Sequence, residues 1–354
     1  MKILLIGFSV GGVMGDGIRV LVKYFTKKSE VVLLTNTQLD IEDDINLRVH
    51  KFKFDYNHTS DFFNPVTYFK IYKVIKKTEY DVAFVYNGHP ANAIAYRCVD
   101  LNKTVAFLHD PSPHSGKIPL KIRMASLLKR DMTKYAKIIV SSQKMKQVAL
   151  QELGISDENK VQVNYLGGIE NLFFEDLHLP QDIDVLFFGR VEYYKGIDTL
   201  IESAKQMPNA RFVIAGKGDM KAAYGIESLP KNVERFDRYL PDKELAALIQ
   251  RSKVVVLPYR DATGTQTIQT AFYYGKPVVA TMVGGFSEYI YDDVDGKLVP
   301  PCNADALTNA ISEILDNSQR RMEMGAKAKE HLKDVFDNER ICERYYEIFR
   351  MVIS

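Results

Sequence analysis

Two cations in one short loop, and a Gly/Thr-rich turn further along, are the residues of this chain best suited to chemistry. Residues 185–196 read VLFFGRVEYYKG. The apolar run stops at a glycine and delivers Arg190 and Lys195 into a loop ahead of a helical stretch. A guanidinium makes bidentate contacts to phosphate and an ammonium acts as a point charge, so the pair suits a diphosphate. Fixed cations also stabilise charge that grows on a phosphate leaving group more than they stabilise the ground state. The second run, residues 254–281, reads VVVLPYRDATGTQTIQTAFYYGKPVVAT. It has the pattern strand, polar turn, helix, Gly-Lys-Pro, strand. Thr265, Gln266 and Thr267 stand at the predicted helix start, where hydroxyls and backbone N–H groups bind anions.

Two further loops are candidates. FSVGGVMGDG, residues 8–17, carries Gly11 and Gly12 after an apolar run. It is neither a G-x-G-x-x-G fingerprint nor a P-loop, so a nicotinamide oxidoreductase is poorly supported. LHDPSPHSG, residues 108–116, places His109 after a predicted strand, with His114 as a second candidate. Its prolines enforce an extended loop at a strand's carboxyl end, where α/β sites sit.

Residues 117–146 hold nine Lys/Arg and one acidic residue, with Leu, Ile and Met interleaved. A basic amphipathic segment of this kind suits an anionic membrane surface or a lipid-phosphate acceptor. An ordinary solvated helix face has the same pattern. No nucleic-acid motif accompanies the charge, so nucleic acid is not expected as a partner.

These loops need a scaffold that ends strands side by side. The chain has 354 residues, too long for one ordinary core and suited to two domains. Hydrophobic residues make up 46% and charged residues 26%, the balance of a soluble globular protein. The net charge of +2 is unevenly spread, the first half basic and the second acidic. Cys98, Cys302 and Cys342 have neither metal-ligand nor disulfide-framework spacing, which fits a reducing, cytoplasmic setting. MKILLIGFSV is apolar for too few residues to be a signal peptide or a span, so any membrane contact is expected to be peripheral.

Short apolar runs alternate with amphipathic stretches, the βαβ pattern. Strands are predicted at residues 3–6, 30–34, 82–86, 104–107, 137–140 and 161–164. A second set falls at 185–188, 210–215, 233–236, 253–257 and 277–280. The first helix is predicted from about residue 15 to 28. Continuously apolar runs such as VVVL fit parallel strands covered on both faces. Adjacent glycines in NYLGGIENLFF, residues 164–174, mark a boundary. The predicted domains are 1–164, 165–337 and a C-terminal helix over 338–354.

Taken together these motifs resemble the retaining, nucleotide-sugar-dependent glycosyltransferases of the GT-B fold, family 4, over almost the whole chain. Gly189-Arg190 with Lys195-Gly196 matches the family's G-R-x-x-x-x-K-G. Residues 215–218 resemble its A-G-x-G, residues 275–278 its G-K-P-V and residues 284–288 its G-G-x-x-E. The resemblance implies two Rossmann-like parallel-sheet domains facing a central cleft. The first would receive the acceptor and the second the donor, with the C-terminal helix crossing back onto the first.

It further implies that Arg190, Lys195 and His109 are the active-site residues. Gly11 and Gly12 would let the backbone approach the donor, and Arg238 and Tyr239 would touch the base. Asp261, Thr265, Gln266, Thr267 and Thr270 would line the donor site. The family's two Glu positions fall on Ala262 and Thr270, so both carboxylates are replaced. Asp261 adjoins the first position and Gln269 the second. The implied donor is a nucleoside-diphosphate sugar, a UDP-sugar in preference to a GDP-sugar. The implied acceptor is a glycan or lipid-linked glycan of surface polysaccharide synthesis. No metal and no other cofactor is expected, and the protein would work in the cytoplasm or on the inner face of the membrane. Two same-fold alternatives are a nucleotide-sugar 2-epimerase and an inactive partner subunit.

Overall fold

A computed structural model describes residues 1–8, 12–54, 64–86, 97–112 and 130–353. Gly11, His114 and residues 117–129 lie outside that set. The described chain forms two compact units. One runs from Met1 to Tyr165 and takes in Asn338 onward, and the other runs from Leu166 to Asp337.

The first unit is built on a parallel sheet of β1 (Lys2–Ile6), β2 (Glu30–Asn36), β3 (Leu47–Phe52), β4 (Val82–Tyr86), β5 (Thr104–Phe107), β6 (Lys137–Val140) and β7 (Val161–Val163). Their order is β3-β2-β1-β4-β5-β6-β7. The central strands are buried along their length, β4 and β5 completely. Edge strand β3, LRVHKF, was not anticipated. It alternates charged and apolar residues and is only half-buried, as an edge permits. The first helix begins at Gly12 and ends at Phe25, a few residues earlier than predicted.

The helix Asn338–Ile353 belongs to this first unit. Phe25 packs against Tyr345, Tyr346 and Phe349 with ring centres 5.3–6.2 Å apart. The Tyr346 hydroxyl donates to the Phe25 carbonyl at 2.9 Å, and Asn164 Nδ2 donates to the Ile341 carbonyl at 3.0 Å. The aromatic residues of this helix are thus its inward stripe.

The second unit is a parallel sheet of β8 (Ile183–Phe188), β9 (Phe212–Ala215), β10 (Val233–Phe236), β11 (Ser252–Leu257), β12 (Val278–Thr281) and β13 (Gly296–Val299). The order is β10-β9-β8-β11-β12-β13. The connections run one way through β8, β9 and β10 and the other way through β11, β12 and β13. The order therefore reverses between the neighbours β8 and β11. In open α/β sheets such a reversal leaves a crevice at the strands' carboxyl ends, and ligands bind there.

Candidate functional site

The two loops with the most suggestive chemistry follow the two strands that flank this reversal. β8 ends at Phe188, and Gly189 and Arg190 come next. β11 ends at Leu257, and residues 258–266 lead to the helix Thr267–Tyr273. Parallel pairing, Val254 opposite Val185 and Val255 opposite Leu186, brings both loops out at the same end of the sheet.

The loops are locked together. Lys195 Nζ donates to the Tyr259 hydroxyl at 2.6 Å and lies 3.8 Å from that ring's centre. Tyr259 is buried and holds the ammonium from below. The Arg260 N–H donates to the Tyr194 carbonyl at 2.7 Å, and the Arg260 guanidinium forks onto the Asp198 carboxylate and stacks on Tyr193. Asp198 pushes the Arg260 pKa further up, so this cation is fixed as structure. Gly196 makes the approach possible. Its φ is +63°, and a Cβ there would lie 2.0 Å from the Pro258 carbonyl oxygen.

Arg190 is more open. Its side chain is 62% exposed and pairs with Glu192 at 2.8 Å. Beside it, the ends of β8 and β9 meet backbone to backbone. The Gly189 N–H donates to the Ala215 carbonyl, and a Cβ on Gly216 would lie 2.0 Å from the Gly189 oxygen. The loop after β9 meets the loop after β10. The Gly218 N–H donates to Asp237, and Lys217 Nζ sits 5.9 Å from the Tyr239 ring. Tyr239 is 72% exposed, a broad aromatic face beside a cation. Arg238 is ion-paired with Glu244.

The turn before the helix Thr267–Tyr273 differs from its expected form. Thr265 Oγ1 accepts the Thr267 N–H at 3.2 Å and hydrogen-bonds the Thr267 hydroxyl at 2.9 Å. Thr265 thus takes up the first amide of this seven-residue helix from just ahead of its N-cap, Gln266, and the Thr267 amide is not a spare donor. Thr270 is fully buried and donates to the Gln266 carbonyl. It fills its own helix turn. Ala262 is buried under the next loop, because a Cβ on Gly284 (φ +53°) would come 1.6 Å from the Ala262 oxygen. Neither residue at the two replaced Glu positions presents a carboxylate. Asp261 is partly exposed beside them.

Two glutamines of this segment turn toward the start of the unit. Gln266 Nε2 donates to the Gly167 carbonyl and Gln269 Nε2 to the Leu166 carbonyl, each at 2.8 Å. Both are buried, and among the described residues neither Oε1 atom has a partner. The Leu166 N–H donates to the Tyr289 hydroxyl at 3.0 Å, and the Tyr289 ring stacks flat on Phe336. Lys276, of the Gly-Lys-Pro motif, is buried and donates to the Gln250 carbonyl at 2.7 Å. Burial depresses its pKa to about 8. Its role is structural.

Two Asp-x-Asp spacings occur in the chain, and ion pairs occupy both. Asp182 bridges Arg251 and Arg211, which holds its carboxyl down at about 2, and Asp184 pairs with Lys253. Asp293 pairs with Lys297 and Arg320, and Asp295 with buried His331. In the first unit, His109 stands just beyond β5 at the carboxyl end of that sheet. It is half-buried, with Nδ1 2.8 Å from Asp110 Oδ1. Gly12 opens the first helix. Of the sequence candidates, Arg190, Lys195, Asp261, Thr265, Gln266, Thr267 and Thr270 all belong to the loops and helix start after β8 and β11. Arg238 and Tyr239 sit after β10. Tyr259, which seats Lys195, was not among the candidates. Its one sequence signal is an aromatic residue at a strand end.

The family model for glycosyl transferases group 1 matches residues 168–331, and that for Glycosyltransferase Family 4 matches residues 14–167. HepE from Anabaena, solved with UDP-glucose, superposes with a TM-score of 0.74 at 20% identity, over 99% of this chain and 100% of that one. That likeness and the two parallel-sheet units define the fold of this chain as GT-B. Among curated proteins, the D-inositol 3-phosphate glycosyltransferase of Corynebacterium aurimucosum is 32% identical over 161 residues, 42% of this chain and 38% of that protein. The O-antigen chain mannosyltransferase C of Escherichia coli is 24% identical over 175 residues, 48% of this chain and 47% of that protein. The chain thus spans less than half the length of these relatives.

Proposed function

We propose that the protein transfers a sugar from a nucleoside-diphosphate sugar to a glycan or lipid-linked glycan, with retention of anomeric configuration. The observation that carries this reading is the position of Arg190 and Lys195. Both are in the loop after β8, beside the strand-order reversal, and Lys195 is seated on Tyr259 of the loop after β11. Two cations at that point suit a diphosphate whose charge grows as the glycosidic bond breaks.

In this mechanism the diphosphate rests on Arg190 and Lys195, with the Thr265 and Thr267 hydroxyls beside it. Glu192 gives up Arg190 as the phosphate arrives. Exposed Tyr239 offers a face for the base, and Asp261 and Gln266 lie on the sugar side of the loop, with buried Thr270 supporting the helix turn behind them. The departing phosphate oxygen takes the proton of the acceptor hydroxyl as that hydroxyl attacks from the same face. The bond from the anomeric carbon to the phosphate oxygen breaks, and the bond to the acceptor oxygen forms. No protein nucleophile is needed, and the two cations supply the charge that a metal ion supplies elsewhere.

A UDP-sugar is the preferred donor, a reading supported by the UDP-glucose complex of the similar HepE. The O-antigen relative supports a surface polysaccharide as product. The work would be done in the cytoplasm or at the inner membrane face.

The test is incubation with UDP-sugars and a glycolipid extract, followed by NMR of the product anomer. A new axial linkage from an axial donor supports retention. Release of a free epimerised sugar without acceptor contradicts transfer, and so does an Arg190→Ala variant with full turnover.

A further inference from the structure

One surface of the first unit combines features that its own fold does not use. The helix Pro65–Lys77, PVTYFKIYKVIKK, links β3 to β4. Asn64 caps it, its side chain accepting the Val66 N–H at 3.0 Å, and Pro65 presets the first turn. Ile71 and Ile75 are buried in the core, with Tyr68 and Val74 packed beside them. Those four residues complete the inward stripe.

The opposite face carries Val66, Phe69, Lys70, Lys73, Lys76 and Lys77 at helical spacing, with Tyr72 at its margin, all exposed. Val66 is 59% and Phe69 56% exposed. Lys73 Nζ lies 4.5 Å from the Phe69 ring centre. No acidic residue occurs from Asn64 to Thr78. Among the described residues, none of the four lysines forms an ion pair.

A solvated helix face ordinarily interleaves charges of both signs. Here crowded cations repel one another and apolar groups stand in water. A single kind of partner relieves both costs, a surface that is anionic outside and apolar just beneath. Nucleic acid would satisfy the lysines and leave Val66 exposed.

We propose that the helix Pro65–Lys77 docks on an anionic lipid bilayer. Val66 and Phe69 enter the acyl boundary, and Lys70, Lys73, Lys76 and Lys77 meet headgroup phosphates. Tyr68 packs 6.0 Å from Phe54, just past the carboxyl end of β3. The helix's first turn therefore lies at the end of the sheet where β5 delivers His109. This surface is separate from residues 117–146, and the proposal does not depend on the reaction proposed above.

The chain contains no tryptophan, so Phe69→Trp installs a lone reporter. Its emission is expected to shift to the blue with phosphatidylglycerol/phosphatidylcholine vesicles and not with phosphatidylcholine alone. Met322→Trp, 67% exposed on the second unit, is expected not to shift. The triple variant Lys70→Glu, Lys73→Glu, Lys77→Glu should co-sediment with anionic vesicles about 100-fold more weakly, with an unchanged circular dichroism spectrum. Absence of wild-type binding, an equal shift with neutral vesicles, or a triple variant that sediments like wild type overturns the proposal. Displacement of the vesicles by an RNA oligonucleotide at equal charge concentration would assign the face to nucleic acid and overturn it too.

Discussion

Lys195 Nζ hydrogen-bonds the Tyr259 hydroxyl at 2.6 Å, joining two loops 64 residues apart in sequence. The contact fixes a long, flexible side chain against a buried ring at the carboxyl ends of β8 and β11. Its ordering cost is met in the folded protein and not again when an anion arrives. Lys195→Ala is expected to weaken nucleoside diphosphate binding by about 10- to 100-fold, the range for a hydrogen bond to a charged group. Tyr259→Phe, which keeps the ring, should weaken it by less than about 10-fold. Calorimetric titration separates the two, and a larger loss for Tyr259→Phe than for Lys195→Ala would contradict this account.

Gly196 tests the same junction through the backbone. Gly196→Ala forces a Cβ to within 2.0 Å of the Pro258 oxygen at a φ of +63°. The left-handed conformation alone costs a side chain about 1–2 kcal/mol, and the clash must move the loop. Urea unfolding should show a loss above about 2 kcal/mol, together with lost diphosphate affinity. Gly225→Ala is the control, with a φ of +70° and nothing within 4 Å. It should lose about 1 kcal/mol and bind as wild type.

Gln269 makes an unusual demand of its surroundings. It is fully buried, donates to the Leu166 carbonyl and, among the described residues, leaves its own Oε1 without a partner. Gln269→Leu removes a hydrogen bond and an orphan acceptor together, so its cost should stay near 1 kcal/mol. Gln269→Glu sets a carboxylate against a carbonyl oxygen and should cost about 3 kcal/mol or more. The gap between the two variants should close in acid as the carboxyl protonates. A Glu variant as stable as wild type at neutral pH would refute the geometry.

Lys276 gives a pH signature. Burial lowers its folded pKa to about 8 from 10.5. Below about pH 8 it is charged in both states and the full burial penalty applies. Between about 8 and 10.5 the folded state has released its proton while the unfolded chain still holds one, so stability rises with pH. Relative to Lys276→Met, wild type should gain about 3 kcal/mol across that window. Urea denaturation of both proteins at several alkaline pH values measures the gap, and a constant or shrinking gap would contradict the assigned burial.

Much of this architecture was legible in the chain because parallel strands buried on both faces write themselves as apolar runs. The strands at 82–86, 104–107, 137–140 and 233–236 have the limits that their sequences announce. β3 was not legible, since LRVHKF at a half-exposed edge has no apolar run to detect. Arg190 and Lys195 were visible from their placement after VLFF. Their fixing was not, because the Tyr259 seat lies far away in sequence and depends on Gly196. In the Thr-rich turn the Thr267 N–H is already taken up by Thr265 Oγ1. That pairing of one first-turn amide is a local choice that composition does not reveal. The partnering of Arg238 by Glu244 was equally hidden, as residues six apart are not neighbours on a helix or on a strand.

The most direct test of the central claim is calorimetric titration of UDP into wild type and into Arg190→Ala with Lys195→Ala, in buffer containing EDTA. The account predicts metal-independent binding by wild type and at least a 100-fold loss in the double variant, whose fold is verified by circular dichroism. Equal affinity in both proteins, or binding by wild type only when a divalent metal is supplied, would contradict it.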